Sequence, residues 1–588
     1  MKKGWIVLLV FGVLLLVGAG IVFFTLVSML LDVEPAVPDR SVLVINLSGE
    51  IPDHVEPSLF AGLFEGRPLT FQDILASLDK ARSDKRVAGV WLKINRPELG
   101  WAKVTELQKA IENFKGRGKL VVATIQAANE REYACALPAD SIYFCPEAGC
   151  EFNGFTAGAM FIKDMFGKIG VQPEVARFGE YKSAGDMLDR TTMSEYQKEE
   201  MQAVLDQTYE NFVQMVSSRR PKMTPEKVRA LLEQGLFNPR EAVEGGFADG
   251  IQYDDEVEAM VLAKVGGGRT VNGKKRLQTV GVQHYRRVSW QAAGVETGPI
   301  VAVVHIDDFI GQGKDGYSPI FGRVTGTQRV LSALRQAREN PEVKAVVVRV
   351  DSPGGDVLAS DLMWREIAIT DKVKPVVASM SDYAASGGYY VSSACRRIVA
   401  GPGTVTGSIG VVAALFNLSQ LFNEKLGIHF ETLKKGEWAD AMNPYRPMTD
   451  AERERFHQEV RGAYDRFVAK MAQCRKKSVA DLDKVAQGRV WTGRDAQALG
   501  LVDELGGMDK AVEIALREAK VFSEKRPNLV TFPPPKDFWD RLAESVSDMS
   551  FAGNDASVLS RELKFLGRFI LPRSGAVLAV MPYGLQVD

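Results

Sequence analysis

The sequence predicts an α/β protein made of two homologous repeats in tandem behind one N-terminal transmembrane helix. Apolar runs with strand alternation and helix-period segments follow one another in the same order twice along the chain. One segment is present in two related copies, GEYKSAGDMLDRTTMSEYQKEE from Gly179 and GEWADAMNPYRPMTDAERERFH from Gly436. An apolar stretch near the N-terminus is long enough to cross a bilayer.

The stretch from Trp5 to Leu31 carries no charged residue and ends without the small-residue cleavage pattern of a signal peptide. We therefore expect residues 5–31 to be an uncleaved transmembrane anchor and residues 1–4 to be a cytoplasmic tail. Lys2 and Lys3 precede the anchor, and the positive-inside rule then sends the rest of the chain to the other side. In a bacterium this is the periplasmic or external side of the cytoplasmic membrane.

Composition excludes several other classes of protein. The chain has 588 residues and a formal net charge of −1, with basic and acidic residues interspersed, so no nucleic-acid partner is expected. The five cysteines give no disulfide framework; buried thiols are expected, with a local pair of Cys145 and Cys150 as the alternative. The His and Cys spacing gives no zinc site, and no motif requires a cofactor.

The repeats are expected at residues 41–262 and 299–519. In the first repeat we expect strands at 41–51, 87–95, 119–125 and 140–146, with a helix at 71–82. In the second we expect strands at 300–310, 343–351, 374–380 and 395–402, with a helix at 327–340. A long helical tail closes both repeats. Alternating strands and helices favour parallel sheets.

Two further segments flank the second repeat. Residues 263–298 are rich in Gly, Lys and Arg and are expected to form an exposed linker. Residues 520–588 form a C-terminal extension that prolines interrupt at Pro533 to Pro535. Its last apolar stretch, SGAVLAVMPYGL, is too short to cross a membrane; it could pack as a strand or cover an oligomer contact.

Ser408 is the candidate nucleophile. It lies in GPGTVTGSIGVVAA, after a predicted buried strand and before a helix expected near Asn417. Neighbouring glycines such as Gly407 and Gly410 permit the tight turns that let a substrate carbonyl approach. A serine in an ordinary glycine-rich turn is the alternative, because Thr406 breaks the G-x-S-x-G pattern.

A glycine pair provides a candidate oxyanion loop. VVVRVDSPGGDVLAS places Gly354 and Gly355 after a strand and before a helix expected to begin near Asp356. Such a turn can direct backbone N–H groups at an oxyanion. The first repeat has Glu98 and Leu99 at these positions, so only the second repeat keeps the pair.

Lys182 is the candidate general base. In an alignment of the two copies, Lys182 matches Ala439 of the second copy, whereas Ser408 matches Gly154 of the first. The reactive residue types are therefore divided between the repeats. A lysine acts as a base only when neutral, which requires burial that lowers its pKa from about 10.4 to about 7 or 8. A histidine base stays open as the alternative, because the members of a Ser-His-Asp triad need only be neighbours in space.

Four segments occur in order: YKSA at 181–184, SPGG at 352–355, DYAASGGYY at 382–390 and TGSIGV at 406–411. Together with the duplication, they resemble the signal peptide peptidase A family, also called protease IV, in its long form. The resemblance covers residues 41 to about 520. It implies crotonase/Clp-like α/β repeats and a serine peptidase with a Ser-Lys dyad. By this match Ser408 is the nucleophile, Lys182 the general base, and Gly354 with Gly355 the oxyanion loop.

The resemblance also implies a membrane-anchored homo-tetramer that degrades cleaved signal peptides and other apolar peptides. The chain departs from the family where GDMLDR follows YKSA, and where Asp307 and Asp308 replace a common glycine. We therefore expect a different wall beside Lys182. Two other functions stay open: a catalytically inactive anchored scaffold, and a crotonase-like acyl-thioester enzyme, which would need a pocket for a nucleotide-like carrier.

Overall fold

The structure is a computed structural model of the chain. It describes residues 12, 17–20, 23, 34–55 and 68–534, together with the backbone of 578–580. The predicted anchor, residues 5–31, lies almost entirely outside this part. Among the described residues, no helix has both the length and the apolar character needed to cross a membrane.

The first repeat and the segment that follows it alternate between strands and helices. In chain order they contain β1 (Ser41–Glu50), α1 (Phe71–Ser83), β2 (Val87–Glu98), α2 (Trp101–Lys115), β3 (Leu120–Asn129), α3 (Glu130–Ala136), β4 (Ser141–Glu151), α4 (Lys163–Ile169), β5 (Gln172–Phe178), α5 (Asp186–Asp189), α6 (Glu195–Arg219), α7 (Pro225–Gln234), α8 (Pro239–Gly245), β6 (Gly250–Ile251), α9 (Asp254–Val265), β7 (Arg269–Val271), β8 (Lys274–Arg276), β9 (Thr279–Gly281) and α10 (Val282–Tyr285).

A six-stranded parallel sheet forms the centre of this repeat, in the order β9-β1-β2-β3-β4-β6. Its strands are nearly continuous apolar runs, as expected where helices cover the faces of a parallel sheet. Helix α1 begins at a capping box formed by Thr70 and Asp73. It buries Phe71, Ile74 and Leu78 in the hydrophobic core of the repeat.

The second repeat and the extension follow the same plan with additional strands. In chain order they contain β10 (Thr297–Gly311), β11 (Gly316–Ser318), β12 (Gly322–Gly326), α11 (Thr327–Glu339), β13 (Val343–Asp356), α12 (Val357–Asp371), β14 (Val376–Ala385), α13 (Gly387–Ser392), β15 (Arg397–Ala400), β16 (Val405–Gly407), β17 (Val411–Asn417), α14 (Asp450–Arg475), α15 (Val479–Asp483), β18 (Val490–Thr492), α16 (Gly493–Ala498), β19 (Glu504–Leu505), α17 (Met508–Glu518), β20 (Arg526–Phe532) and β21 (Leu578–Val580).

The central strands of the second repeat have the order β20-β10-β13-β14-β15-β19 and are also parallel. This order matches that of the first sheet strand for strand. The predicted α/β class and the internal duplication are therefore confirmed.

One edge strand of each sheet comes from outside the expected repeat. β9 belongs to the segment expected to be an exposed linker, and β20 belongs to the C-terminal extension. Tyr285 and Val288 of the linker segment are also buried in the core of the first repeat. The segment is thus packed from Leu277 onward, because its apolar residues complete a sheet and a core. The domain limits themselves stay predictions.

One pair of strands joins the two repeats next to the predicted site. β5 of the first repeat pairs antiparallel with β17 of the second, from Phe178 opposite Val411 to Gln172 opposite Asn417. β17 is extended up to Asn417 because it pairs with β5, and the helix expected near Asn417 begins at Ser419 and continues to Leu426.

Buried charges also connect the repeats. Arg349 on β13 is fully buried, and its guanidinium lies 2.7 Å from Glu106 Oε1 and 3.3 Å from Asp53 Oδ2 of the first repeat. Removing one member of such a group would leave an uncompensated charge in the interior. The contact therefore fixes how the repeats dock.

The five cysteines are free thiols, including Cys145 and Cys150. Burial raises the pKa of Cys135 and Cys150 to about 12. These two side chains are therefore protonated at neutral pH and poor nucleophiles.

Candidate active site

Ser408 lies on a tight turn between β16 and β17. Its φ is +49° and that of Gly407 is +81°, in the left-handed region that serine rarely adopts. The turn is held in place because the Ser408 N–H donates to the carbonyl of Arg489 at 2.7 Å. Arg489 leads into β18, which pairs antiparallel with β16. The serine is thus fixed at the end of a strand in a conformation that the surrounding sheet imposes.

Lys182 reaches the same turn from the first repeat, four residues after β5. Its side chain is fully buried. The Nζ atom lies 2.9 Å from Ser408 Oγ, 3.0 Å from the Ser408 carbonyl oxygen and 2.9 Å from Ser386 Oγ. A neutral amine has two N–H donors and one lone pair. The carbonyl oxygen of Ser408 and the hydroxyl of Ser386 can accept the two N–H groups, which leaves the lone pair facing the Ser408 hydroxyl.

Burial sets the protonation state of this lysine. Desolvation lowers the pKa of Lys182 to about 7, and the nearby Glu200 opposes this shift. Burial also raises the pKa of Glu200 to about 8. Glu200 is held by the Val490 N–H at 3.1 Å and by the Ser183 hydroxyl at 3.3 Å. Near pH 7 Glu200 is mainly protonated, so it does not keep Lys182 charged.

Two glycines make room for the lysine. A Cβ at Gly410 would lie 3.0 Å from Lys182 Cδ, and one at Gly488 would lie 2.6 Å from the Lys182 backbone nitrogen. Gly488 also has a φ of +78°. From the sequence, the glycines around Ser408 are expected to permit the approach of a substrate. Gly410 has a different role here, since it admits the lysine of the other repeat.

Ser386 is a further contact of Lys182, and the sequence gives no prediction of it. It precedes α13 with a φ of +56°, and its N–H donates to the Gly407 carbonyl at 2.8 Å. Its hydroxyl therefore lies beside both the lysine and the turn that carries Ser408. The one available signal was its position inside DYAASGGYY, because the contact with Lys182 spans 204 residues of sequence.

The glycine pair lies at the end of β13. Gly354 has a φ of +113°, and a Cβ at Gly355 would lie 2.1 Å from the Ile310 carbonyl oxygen of β10. Both positions therefore require glycine. The Gly354 N–H donates to Ser352 Oγ at 3.2 Å, a partner that it must exchange to bind an oxyanion. The oxyanion role of the pair stays a prediction.

The segment GDMLDR, where the chain departs from the family pattern, is tied back to β5. Asp186 and Asp189 both form ion pairs with Arg177 of this strand. Gly185 is close-packed, since a Cβ there would lie 2.6 Å from Val175 Cγ1 and 3.1 Å from Val412 Cγ2. The backbone three residues after Lys182 is therefore packed between two valines, which leave no room for a side chain at position 185.

Asp308, which replaces a glycine common in the family, keeps the backbone conformation of a glycine. Its φ is +58°. Its carbonyl oxygen accepts the hydroxyl of Ser352, and its carboxylate lies 3.1 Å from Arg323. The charged pair and the hydrogen bond compensate for the strain at this position.

The histidine base that the sequence left open receives no support at Ser408. Among the described residues, Lys182 is the hydrogen-bond partner of Ser408 Oγ. His305 lies on β10 and stacks on His54 with ring centroids 4.7 Å apart. Burial lowers the pKa of His305 well below its ordinary value. The lysine is therefore the base that the geometry offers.

Comparison with known proteins defines the class of this protein as a serine peptidase. The model of Peptidase family S49 matches residues 113–266 and 368–522, once in each repeat. The chain belongs to peptidase family S49.

The relatives extend over most of the chain. It is 38% identical to "Serine protease SPPA, chloroplastic" of Arabidopsis thaliana, over 84% of this chain and 72% of the relative. It is 29% identical to "Protease 4" of Salmonella typhi and to "Protease 4" of Haemophilus influenzae, in each case over 82% of this chain and 79% of the relative. The resemblance to signal peptide peptidase A in its long duplicated form is therefore confirmed.

Proposed function

We propose that this protein is a membrane-anchored serine endopeptidase with a Ser-Lys dyad. It degrades cleaved signal peptides and other apolar peptides at the outer face of a bacterial cytoplasmic membrane. The observation that carries the proposal is the 2.9 Å contact between Lys182 Nζ and Ser408 Oγ. Burial lowers the pKa of this lysine to about 7, so a neutral amine is available at neutral pH.

Acylation begins when Lys182 accepts the proton of the Ser408 hydroxyl and Oγ attacks the substrate carbonyl carbon. The carbonyl π electrons move to oxygen, and N–H groups of the Gly354 and Gly355 loop stabilise the oxyanion. When the tetrahedral intermediate collapses, the C–N bond breaks. The Lys182 ammonium then donates its proton to the leaving amine, which restores the neutral base beside an acyl-enzyme.

Deacylation uses the same groups with water. Lys182 accepts a proton from water, and the hydroxide attacks the acyl carbon. The ester bond to Ser408 breaks, and the serine oxygen regains the proton from Lys182. Ser386 holds the amine throughout, because its hydroxyl lies 2.9 Å from Nζ. No cofactor or metal takes part in this sequence.

The anchor, location and assembly rest on the sequence and the family resemblance. An uncharged stretch at residues 5–31 is suited to hold the enzyme in the bilayer, where apolar signal-peptide remnants accumulate. Lys2 and Lys3 favour a cytoplasmic N-terminus. A homo-tetramer with its sites facing an enclosed interior would restrict access to short or unfolded peptides.

The test is hydrolysis of a fluorogenic apolar peptide by the detergent-solubilised chain. We expect Ser408→Ala and Lys182→Ala each to lower kcat/KM by about 10³-fold or more, with an unchanged circular dichroism spectrum. Full activity of folded Lys182→Ala would exclude the dyad. An inert wild-type chain would exclude the peptidase activity with this class of substrate.

Lys80→Ala is the matched control. Lys80 is also buried, and desolvation lowers its pKa to about 8, but its Nζ donates to the carbonyl oxygens of Arg286 and Val288, each at 2.8 Å. We expect this variant to retain hydrolysis. A loss equal to that of Lys182→Ala would mean that any buried lysine of the first repeat is needed only for folding.

A further inference from the structure

The chain is docked on the first repeat directly after the predicted anchor. Glu34 Oε1 accepts the Ser289 N–H at 2.7 Å, and Arg40 donates from Nη1 to the Val265 carbonyl oxygen at 3.0 Å. The predicted anchor ends at Leu31, and three residues of extended chain span at most about 11 Å. In an anchored chain, the surface around Glu34 therefore lies close to the bilayer.

Basic residues line the adjoining edge of the first sheet. β1, β2, β3 and β9 are parallel, so the turns that precede them lie at one edge. Arg40, Lys85 and Arg117 lie in the turns before β1, β2 and β3; they are exposed, and within the described residues they form no ion pair. Asp39 offsets one of these charges. The other acidic residues of the edge are paired with basic side chains: Asp84 with Arg86, Asp140 with Lys115 and Asp249 with Arg220.

A basic hairpin, residues 269–276, extends the same edge. Its strands β7 and β8 form a two-stranded sheet of their own just before β9. The hairpin begins against the turn before β1, since a Cβ at Gly266 would lie 2.5 Å from Arg40 Nη1 and one at Gly267 would lie 3.0 Å from Arg40 Cβ. All six paired residues are exposed, and four of them are cationic: Arg269, Lys274, Lys275 and Arg276.

The fold itself gains nothing from these charges. Arg269 lies directly opposite Arg276 in the hairpin, and like charges at opposite positions destabilise a pair of strands. Glu258 lies 3.4 Å from Arg276. In the part of the chain that the structure describes, Arg269, Lys274 and Lys275 form no ion pair. An anionic partner would relieve this repulsion.

One face of the basic hairpin combines cations with an apolar side chain. Arg269 and Val271 lie on the same face of β7 because side chains alternate along a strand, and Arg276 and Lys274 lie opposite them. Val271 is 38% exposed. Basic side chains around an exposed apolar residue suit the boundary between lipid headgroups and acyl chains.

We propose that the basic hairpin, together with Arg40, Lys85 and Arg117, docks on anionic phospholipid headgroups of the membrane that holds the anchor. This inference rests on the anchor of the proposed function. A single anchor fixes one point of the enzyme and leaves rotation about it free. The second contact fixes that rotation, so the body of the enzyme has one orientation on the membrane.

The test measures how accessible Lys274 and Lys275 are when nanodiscs hold the full chain. Acetylation by an N-hydroxysuccinimide ester is followed by peptide mass spectrometry in discs of phosphatidylcholine and in discs with about one-third phosphatidylglycerol. We expect both lysines to react at least about threefold more slowly in the anionic discs. Lys168, exposed on α4, should react equally in both. High salt should remove the protection by screening the headgroup charge. Equal rates for Lys274 and Lys275 in the two discs would overturn the proposal.

A pair of substitutions separates the hairpin from the rest of the surface. Arg269→Gln with Arg276→Gln removes the opposed charges and keeps both labelled lysines, which should then react at least about twofold faster in anionic discs. Arg455→Gln with Arg466→Gln, at two exposed positions of α14, is the matched control and should leave the labelling unchanged. The same rate in both variants would count against the hairpin as the lipid contact and overturn the proposal.

Other anions and the anchor are tested in the same system. Excess inorganic phosphate or a short DNA duplex, added to neutral discs, should leave the hairpin lysines unprotected; protection equal to that in anionic discs would overturn the proposal. A full chain that enters neither kind of disc would contradict the anchor alone. Its flotation with anionic but not with neutral vesicles would still support the lipid-binding surface, and flotation with neither would overturn it.

Discussion

Two buried lysines of the first repeat have opposite protonation behaviour. Lys182 is 0% exposed and Lys103 is 6% exposed. The pKa of Lys182 is lowered to about 7, whereas that of Lys103 is raised well above its ordinary value of 10.5. Desolvation disfavours the ammonium form at both positions, so the difference arises from the neighbours.

The neighbours of Lys103 are carboxylates. Its Nζ lies 2.7 Å from Asp351, 3.6 Å from Asp382 and 3.7 Å from Asp53. These charges outweigh the desolvation and hold a cation in the contact between the repeats. Lys182 instead has two hydroxyls and one carbonyl oxygen within 3.0 Å. The same type of side chain, buried in both places, is thus a cation at position 103 and has a lowered pKa, as the proposed role of base requires, at position 182.

Replacing Lys182 should have the largest effect on activity and little effect on the fold. Lys182→Met retains the approximate volume of the side chain but removes the amine, and with it the lone pair that accepts the proton. We expect kcat/KM for an apolar peptide to fall by about 10³- to 10⁴-fold, measured by fluorogenic hydrolysis. Activity within tenfold of wild type would contradict the role of base.

The pH dependence of stability provides a control on the same variant. With a folded pKa of about 7 and an ordinary value of 10.5, Lys182 binds its proton more readily in the unfolded chain. Wild-type stability should therefore gain relative to Lys182→Met as pH rises from 7 to 10, by up to about 1.4 kcal/mol per pH unit. Denaturant unfolding at several pH values measures this difference. A flat or falling difference would mean that Lys182 is charged in the folded protein.

Replacing Lys103 should lower the stability of the fold more than replacing Lys182 does. Lys103→Met leaves Asp351, Asp382 and Asp53 without their shared cation, and breaking a buried charge group in this way costs about 3–5 kcal/mol of unfolding free energy. We expect a lower midpoint in denaturant unfolding of this variant than of Lys182→Met. Equal midpoints would show that the charge group contributes little to the docking of the repeats.

A carboxylate placed beside Lys182 should convert it toward the behaviour of Lys103. Ser386→Asp puts a negative charge next to Nζ, which we expect to raise the pKa of Lys182 by about 1–3 units. The acidic limb of the plot of kcat/KM against pH should move to higher pH by this amount. Ser386→Asn is the matched neutral control and should leave the limb in place. The same displacement in both variants would assign the effect to size and not to charge.

The smallest effect is expected at Glu200. Only a minor fraction of Glu200 is ionised near pH 7, and the charge of that fraction raises the pKa of Lys182 slightly. Glu200→Gln should therefore move the acidic limb of the plot of kcat/KM against pH to lower pH, by less than about one unit. The amide retains an oxygen that can accept the Val490 N–H. A shift toward higher pH in a pH–rate titration would contradict this assignment.

The sequence predicted the two reactive residues because the duplication supplied an internal comparison. Lys182 and Ser408 differ from their counterparts Ala439 and Gly154 in chemically reactive types. The order of strands and helices along both repeats also followed from apolar runs and helix-period segments, whereas the order of strands within each sheet did not. These features are local, so a single sequence contains them.

The missed features depend on contacts between distant parts of the chain. Ser386 meets Lys182 only after β5 pairs with β17, and no local pattern predicts that pairing. Likewise, no local pattern around Lys103 or Lys182 gives the protonation state of either side chain. Their pKa values differ because the fold places three carboxylates around Lys103, whereas the hydrogen-bonding contacts of Lys182 Nζ are two hydroxyls and a carbonyl oxygen.

The most direct test of a neutral Lys182 beside Ser408 is the pH dependence of serine labelling by a fluorophosphonate probe, followed by intact mass. The rate in wild type should rise through a midpoint near pH 7, as the lowered pKa of Lys182 requires, and Lys182→Met should be labelled far more slowly without that midpoint. A rate that rises only near pH 10, or one that Lys182→Met leaves unchanged, would contradict the account of Lys182 as the base.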